Sequence, residues 1–295
     1  MSTLAPRTAA EFVAGIEDPP SLSAVTAELL RLLDREDVTA RQILKLLAQD
    51  PILSAKVVRL ANSIFYGGLS AANLDQAIMR IGFREVRNVA LTSAVMDAFP
   101  EMGADFNMRS FWQHCIASGM ASYLVAQNAP QLRRHDANPM AGSFYVSGLL
   151  HHIGILLHAL NQPALFRQAL DLTRNDSEPL YLAERQLLGF DHAESGSILL
   201  QRWSFPEDVQ AGVRFHHQPE SAPEEHRLGA RVLHVSAMLC HAIQGEAASY
   251  EGHLDGFDEA AWFGLGFEAD ALEGMQVEVE KAVRSAERLA AELFG

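Results

Sequence analysis

Apolar residues recur every three or four positions along almost the whole chain, which is the spacing of amphipathic helices. In residues 22–33, for example, Val25, Leu29 and Leu32 fall on one side of a helix. No run of residues alternates convincingly between apolar and polar side chains, as a half-buried strand would. The pattern therefore predicts an all-α protein.

Residues that begin and end helices separate these apolar segments. Thr39 and Gln42 have the spacing of a capping box, and Asp50 before Pro51 resembles an N-cap followed by proline in the first turn. Gly82 is placed to end the helix that precedes it. These signals predict a series of short helices in the first third of the chain.

Longer helical segments follow in the second half. Residues 142–160 and 227–243 are each predicted as one helix, and residues 268–293 as an amphipathic closing helix that Gly274 could break. Residues 245–258 are rich in glycine and acidic side chains, which predicts a loop.

The helical pattern breaks at residues 100–107, and this break predicts a two-lobed helical bundle. We divide the chain into an N-terminal extension (residues 1–18), a first lobe (residues 19–107) and a second lobe (residues 108–245). The remaining residues, 246–295, are predicted to form an acidic loop and a C-terminal helix that packs on the second lobe.

Composition narrows the class of protein. The 37 acidic and 23 basic side chains give a formal net charge of −14, which argues against nucleic acid as the main partner. No stretch was expected to be long and apolar enough to span a membrane, and the N-terminus lacks the basic and apolar segments of a signal peptide. Cys115 and Cys240 lie in apolar, helical surroundings, which favours buried thiols and a cytoplasmic location.

Twelve histidines are the main chemical signal, because imidazole both titrates near neutral pH and binds metals. Six histidines at four places, each on or at the end of a predicted helix, stand out in the second lobe: His114, the pair His151 and His152, His192, and the pair His216 and His217. A metal site built from several helices would have this appearance, with Zn, Fe or Mn bound in a structural or sensory role. The alternative is a partly polar cavity in which these histidines bond to one another or to water.

The sequence around these histidines resembles the HD phosphohydrolase superfamily. Residues 144–154 read Phe-Tyr-Val-Ser-Gly-Leu-Leu-His-His-Ile-Gly, where the superfamily typically has a small-residue turn and two leucines before His-Asp-Ile-Gly. The segments 111–114, 189–196, 203–206 and 216–217 follow the order of the superfamily's other motifs.

The first lobe resembles the HDOD family more specifically. The motifs that carry this resemblance are Pro-Ser-Leu-Ser at residues 20–23, Gln-Asp-Pro-Ile-Leu at 49–53, Leu-Ala-Asn-Ser-Ile-Phe-Tyr-Gly at 60–67 and Ala-Ile-Met-Arg-Ile-Gly at 77–82. The resemblance runs from about residue 19 to residue 217. It implies a bacterial signalling module that is related to HD phosphohydrolases but usually lacks their activity.

This chain departs from the catalytic pattern at the positions that would bind metal. His152 stands where the paired Asp is expected, and the helix of residues 233–239, where a later Asp is expected, offers Ser236 and Ala237 and no acid. A carboxylate neutralises the charge of the metal and can bridge two metals, whereas neutral imidazole does neither. Ile155 replaces a lysine that is frequent in catalytic relatives.

Two sets of first-lobe residues are candidates for binding a ligand or a partner. The first set is Asn62, Phe65 and Tyr66, and the second is Arg80, Arg84 and Arg87. The alternative interpretation of the first set is a helix end whose aromatic residues pack between the lobes. The alternative for the second set, whose helical spacing suggests one face, is a solvated basic surface.

Together these features predict a non-catalytic regulatory module that acts through a signalling protein and requires no cofactor. A nucleotide second messenger is a further candidate ligand. The alternative is a degenerate metal-dependent phosphohydrolase acting on a nucleotide or cyclic dinucleotide, with Asp191 and Glu194 as the carboxylates closest to the histidines in sequence.

Overall fold

The computed structural model describes residues 8–33, 39–62, 71–100, 102, 106–134, 141–176, 178–245 and 257–294. Over these ranges the chain forms α-helices and one short 3-10 helix, and it contains no β-strand. The predicted all-α fold is confirmed.

The helices before residue 107 are mostly short, and two of them begin at the predicted capping residues Thr39 and Asp50. They are α1 (Ala9–Ala14), α2 (Ala24–Leu33), α3 (Ala40–Leu47), α4 (Pro51–Ala61), α5 (Leu74–Ile81) and α6 (Phe83–Asp97). Thr39 and Gln42 form the predicted capping box, and Asp50 Oδ1 accepts backbone N–H groups at the start of α4. Helices α2, α4 and α5 all pack on α6 and bury apolar side chains such as Leu91.

The second lobe is built around a long helix, α7, which α9 and α15 contact along its length. Its helices are α7 (Met108–Asn128), α8 (Pro130–Arg134), α9 (Ala141–Leu150), α10 (Ile153–Asn161), α11 (Pro163–Asp176), α12 (Leu180–Leu188), α13 (His192–Arg202), α14 (Glu207–Phe215) and α15 (Glu224–Gln244), with a 3-10 helix at Pro219–Ser221. Helix α13 packs on α10 and α14, so the segments that carry the candidate histidines are neighbours in space.

The predicted single helix over residues 142–160 is wrong in one respect, because it is interrupted at His151 and His152. These two residues form a turn between α9 and α10, and His152 has a φ of −100° and a ψ of 11°. The apolar sequence on both sides contains no helix-breaking signal. The interruption follows from tertiary packing, since Gly154 at the start of α10 lies directly against the backbone of α13.

The segment that contains α9 and α10 contradicts the expectation that no stretch of the chain could span a membrane. Residues Ser143–Asn161 are long and apolar enough by length and composition to cross a membrane, which the sequence-based prediction missed. In the structure 83% of that stretch is buried inside the fold. Packing in the core therefore accounts for its apolar composition.

Two helices lie beyond the second lobe, α16 (Glu259–Gly264) and α17 (Ala271–Phe294). Helix α17 packs along α7 and α15, with Val279 and Val283 buried. It continues through Gly274, so the suggested break is wrong. A glycine in an exposed helix interior lowers stability without ending the helix when the rest of its apolar face is packed.

Helix α1 packs against α13, although it lies in the predicted N-terminal extension. The Arg202 Nη1 atom donates a hydrogen bond to the Val13 carbonyl at 2.7 Å. The Phe12 ring lies edge-on to the ring of His158, with 5.4 Å between centroids. The sequence did not predict this contact, because α1 is too short to show a helical period.

Polar contacts between described residues join the first and second lobes. Trp203 Nε1 donates to the Pro20 carbonyl at 2.9 Å, and the hydroxyls of Thr92 and Tyr145 are 3.1 Å apart. The predicted boundary at residues 100–107 stays a prediction, as do the other domain limits.

Candidate metal centre

The candidate histidines converge into one buried cluster in the second lobe. One group consists of His114, His151 and His152, and a second of His152, His192 and His216. Within each group one ring nitrogen of every residue lies within 4.8 Å of the others. His152 belongs to both groups, so the two form a continuous patch of imidazole rings.

Each ring reaches the cluster from a helix or from a helix end. His114 lies in the middle of α7, whereas the others lie where helices start or stop: His151 and His152 between α9 and α10, His192 at the start of α13, and His216 and His217 after α14. Helix ends release the backbone from its regular path, so side chains there can turn toward a shared point. The rings are almost wholly buried, apart from that of His217, which is half-buried.

Backbone carbonyls fix the orientation of two of these rings. His151 Nδ1 donates to the Gly148 carbonyl at 2.7 Å, and His216 Nδ1 donates to the Val213 carbonyl at 2.6 Å. With the proton on Nδ1, the neutral ring carries its lone pair on Nε2. Metal-binding histidines are held in the same way, by an acceptor that bonds to the nitrogen away from the metal.

A side-chain amide holds His114 in the same manner. His114 Nδ1 donates to Gln244 Oε1 at 2.6 Å, and its Nε2 lies 3.4 Å from His151 Nε2. The Ser118 hydroxyl is also 3.2 Å from His114 Nε2 and can donate its hydrogen to that atom. The two Nε2 lone pairs face the same position, where a proton or a metal ion would relieve their repulsion.

A carboxylate holds His192. Glu184 Oε2 accepts the Nδ1–H of His192 at 2.6 Å and its backbone N–H at 2.9 Å, and Glu184 Oε1 accepts the Nδ1–H of His158 at 2.8 Å. Burial alone would raise the pKa of Glu184, but the charge and hydrogen bonds of the two histidines outweigh it and hold this pKa far below its usual range. Glu184 is therefore an ionised carboxylate inside the protein.

The pKa values of His216 and His217 are well below the usual value of 6.5. Burial is the largest cause, and the neighbouring imidazoles, which disfavour a second positive charge, lower both further. These rings are consequently neutral at pH 7, the form in which imidazole binds a metal. His217 Nε2 is 2.9 Å from His192 Nε2, at the half-buried side of the cluster.

The sequence-based reasoning missed Glu184 and His234. Glu184 lies on the buried face of α12, between Leu180 and Leu188, and an acid at such a position was the available signal. His234 is buried on α15, where the missing acid was expected, and its Nδ1 donates to the His216 carbonyl at 2.7 Å. That helix therefore contributes an imidazole rather than a carboxylate to the surroundings of the cluster.

The two carboxylates that were suggested from the sequence are engaged elsewhere. Asp191 Oδ1 accepts the backbone N–H of Glu194 as the N-cap of α13, and Asp191 Oδ2 is 2.8 Å from Arg185 Nε. Glu194 faces Arg214 at 3.6 Å. Among the residues that the structure describes, neither of the grouped donor sets includes a carboxylate.

The donor set is suited to a transition metal. Imidazole suits Zn and Fe, whereas Mn prefers carboxylate and water oxygens, so the residues present do not favour the Mn that the sequence left open. His216 Nε2 is buried and has no hydrogen-bond partner, which is costly for a polar atom unless a ligand occupies the position. The buried histidine cluster could therefore bind a metal.

Of the first-lobe candidates, the structure describes the side chains of Asn62 and Arg80. Asn62 uses its amide to bind both backbone groups of Ala71, with Nδ2 donating to the carbonyl at 2.8 Å and Oδ1 accepting the N–H. This contact matches the structural interpretation of a helix end. Phe65 and Tyr66 lie outside the described residues.

The three arginines do not share one helix face. Arg80 lies on α5, and Gly82, with a φ of +85°, separates α5 from α6. The helical spacing that was used to group Arg80 with Arg84 and Arg87 therefore does not apply. The side chains of Arg84 and Arg87 lie outside the described part of the chain.

Solved structures share this fold. A protein from Shewanella amazonensis SB2B, provisionally named a phosphohydrolase, is 27% identical, with 97% of this chain and 98% of that chain covered and a TM-score of 0.74. An HDOD domain protein from Geobacter sulfurreducens is 23% identical, with 94% and 96% covered and a TM-score of 0.78. A protein from Marinobacter aquaeolei VT8, provisionally named a signal transduction protein, is 22% identical, with 99% and 62% covered and a TM-score of 0.80.

A curated relative from Treponema pallidum (strain Nichols), named only as uncharacterized, is 25% identical over 247 residues, or 83% of this chain. The chain spans about half the length of that relative, 47%. The family model described as the HDOD domain matches residues 20–219, which is more than half of the chain and includes all of the grouped histidines. The chain belongs to the HDOD domain family.

Proposed function

We propose that this chain is a non-catalytic regulatory module that acts through a protein partner and holds a divalent transition metal, Zn or Fe, on imidazole ligands in its second lobe. The observation that carries this proposal is the anchoring of the rings. His151 and His216 donate from Nδ1 to backbone carbonyls and His192 donates from Nδ1 to Glu184, which leaves Nε2 as the ligand atom of each.

The ligands would come from separate parts of the chain. His114, His151 or His152, His192 and His216 belong to α7, the α9–α10 turn, the start of α13 and the end of α14. When bound, the metal would supply Lewis acidity and would cross-link these elements. Its presence would thus determine how tightly the second lobe is held together, which suits a structural or sensory role.

Two features argue against hydrolysis at this centre. Metal-dependent hydrolysis of a phosphoester needs a metal-bound water and a coordination position that the substrate can reach. Here the rings of the two donor groups are almost wholly buried, and neither group includes a carboxylate to balance the metal charge or act as a base. A buried imidazole cage supports metal retention better than turnover.

The test is the metal content of purified, tag-free protein, measured by elemental analysis after incubation with Zn²⁺ or Fe²⁺. We expect about one metal ion per chain in the wild type and its loss in His151→Ala. His226→Ala is the matched control, because His226 lies on α15 outside the cluster and pairs with Asp208. Absence of metal from the wild type under all conditions would refute the metal centre.

The second candidate function is a degenerate phosphohydrolase. It is favoured by the relative from Shewanella amazonensis SB2B, whose provisional name is phosphohydrolase and which is 27% identical. Metal-loaded protein should be assayed with bis(p-nitrophenyl) phosphate and with cyclic dinucleotides. Robust turnover that disappears in His151→Ala would replace the non-catalytic proposal with this one.

The partner and any ligand require separate experiments. A nucleotide second messenger present at 100 times its dissociation constant should stabilise the protein by about 2.7 kcal/mol, so thermal-shift screening would detect it. The excess of acidic side chains favours a protein partner over a nucleic acid. Buried Cys115 and Cys240 suit a cytoplasmic location.

A further inference from the structure

A buried chain of four polar side chains leads away from the histidine cluster into the apolar core. His192 Nδ1 donates to Glu184 Oε2 at 2.6 Å, and Glu184 Oε1 accepts from His158 Nδ1 at 2.8 Å. His158 Nε2 is 2.9 Å from Ser195 Oγ. Glu184, His158 and Ser195 have no exposed surface, so this chain cannot meet a substrate.

Two aromatic rings pack against this buried chain of side chains. The rings of Phe12 from α1 and Phe190 lie edge-on to His158, with 5.4 Å and 5.6 Å between centroids. Phe12 and Phe190 also contact each other at 5.3 Å. In such surroundings a charge is screened little, and its effect on a neighbouring group is large.

The buried carboxylate of Glu184 needs a compensating positive charge, which either a protonated His192 or His158 ring or a cation beyond the His192 ring would supply. The carboxylate accepts hydrogen bonds from the ring N–H groups of His192 and His158 and from the backbone N–H of His192, and these donors are neutral when both rings are neutral. A buried carboxylate with only neutral partners is costly. A divalent metal on the far side of the His192 ring would compensate this charge through the imidazole.

We propose that Glu184 is a positioning residue of the metal centre and that it sets the affinity and the electronic environment of the metal through His192. The carboxylate fixes the His192 proton on Nδ1, turns Nε2 toward the cluster and increases the basicity of that nitrogen. His158 and Ser195 hold the second carboxylate oxygen in place. This inference rests on the proposed metal centre.

The experiment uses Co²⁺ as the probe, because its visible absorption reports its ligands, and compares the wild-type 295-residue chain with Glu184→Gln and Glu220→Gln. Glutamine has the shape of glutamate without its charge. Glu220 is the matched control, since it is also a carboxylate in a bidentate contact, with Arg231, but lies on the surface. Affinity is measured by competition with a chelator, and circular dichroism in EDTA verifies that each variant is folded.

Glu184→Gln is expected to bind Co²⁺ about 10- to 100-fold more weakly than the wild type and to shift the Co²⁺ absorption band. Glu220→Gln should match the wild type in both readouts. A merely structural role for Glu184 would lower the melting temperature without moving the absorption band. Equal affinity and an unchanged spectrum in Glu184→Gln would overturn the inference while leaving the metal centre intact.

Failure of the wild type to bind Co²⁺ or Zn²⁺ would instead overturn both the metal centre and the role of Glu184. If Glu184→Gln does not fold, His158→Gln provides the second test, because it keeps the carboxylate and loosens its support. Weaker binding with a shifted band supports the inference, and binding indistinguishable from the wild type overturns it.

Discussion

The two lobes bury different kinds of side chain. In the described part of the first lobe the buried polar side chains are all hydroxyls, those of Thr26, Thr92 and Ser93. The second lobe buries seven histidines and two carboxylates in addition to several hydroxyls: His114, His151, His152, His158, His192, His216, His234, Glu184 and Asp191.

This difference sets the polar centre of the second lobe apart from the largely apolar core of the first. Buried polar groups cost stability unless they are hydrogen-bonded, so apolar residues would fill a purely structural core more cheaply. The first lobe follows that rule and keeps its polar capping groups at helix ends. The second lobe retains a polar centre, as a binding site would require.

The largest effect is expected where the second lobe packs most tightly, at Gly154→Ala. A Cβ at this position would lie 2.0 Å from the backbone oxygen of His192, so α10 and α13 would have to separate. We expect the free energy of unfolding to fall by about 3 kcal/mol or more. Chemical denaturation monitored by circular dichroism would measure this loss of unfolding free energy.

Gly229→Ala on α15 is the control for this substitution, since nothing lies within 4 Å of its added Cβ. It should stabilise the protein by up to about 1 kcal/mol through helix propensity. Equal effects of the two substitutions would show that the α10–α13 contact is looser than described.

Acid should destabilise the metal-free protein through the second lobe. The folded-state pKa of His216 lies well below 6.5, so below pH 6.5 the unfolded chain binds a proton that the folded chain does not. Stability is therefore greatest above pH 6.5 and falls as the pH drops, by about 1.4 kcal/mol per pH unit for such a group. Glu184, whose pKa is lowered, adds a loss of the same sign below pH 4.5.

Denaturant titrations in EDTA between pH 8 and pH 5 would measure this slope. His216→Gln should make it shallower, whereas Thr39→Ala in the first lobe should leave it unchanged. If the free energy of unfolding of His216→Gln falls with pH as steeply as that of the wild type, the acid sensitivity comes from other groups.

In the first lobe, Asn62→Ala should cost about 2 kcal/mol, because it removes two hydrogen bonds to the backbone of Ala71 at about 1 kcal/mol each. The metal content of Asn62→Ala should equal that of the wild type, because Asn62 does not contact the histidine cluster. Loss of metal together with stability would show that the lobes are coupled and would weaken the comparison.

The smallest effect is expected for Thr39→Ala, which removes the capping box of α3. The expected loss is about 1 kcal/mol with no change in metal content. Thr39→Ser, which keeps the hydroxyl, serves as the control and should recover most of the stability. A loss as large in Thr39→Ser would assign the effect to the missing methyl group.

Local signals in the sequence predicted the helices well. The capping box at Thr39, the N-cap at Asp50 and the end of α5 at Gly82 all depend on residues within one turn of each other, and the structure confirms all three. The break at His151 and His152 was missed because its cause lies about 40 residues away in sequence, in the contact of Gly154 with α13.

The candidate site was only partly predictable for the same reason. Family resemblance pointed to histidines such as His151 and His192, but spacing along the chain did not indicate that their rings meet. The burial of Glu184 was not predicted, because an acidic residue on a helix is usually exposed to solvent. Its position on the apolar face of α12 was the signal for burial. The place of His234 beside the cluster was not predicted, because an acidic side chain was expected at this position of α15.

The position of α15 has a consequence for how this protein can be divided. The family match ends at residue 219, yet His234 and Gln244 reach back from α15 to His216 and His114. Helix α1, which begins before residue 20, covers His158 through Phe12. A fragment of residues 20–219 would therefore keep the family motifs but lose the contacts of α1 and α15 with the histidines. The unit that must be kept together is larger than the segment that identifies the family.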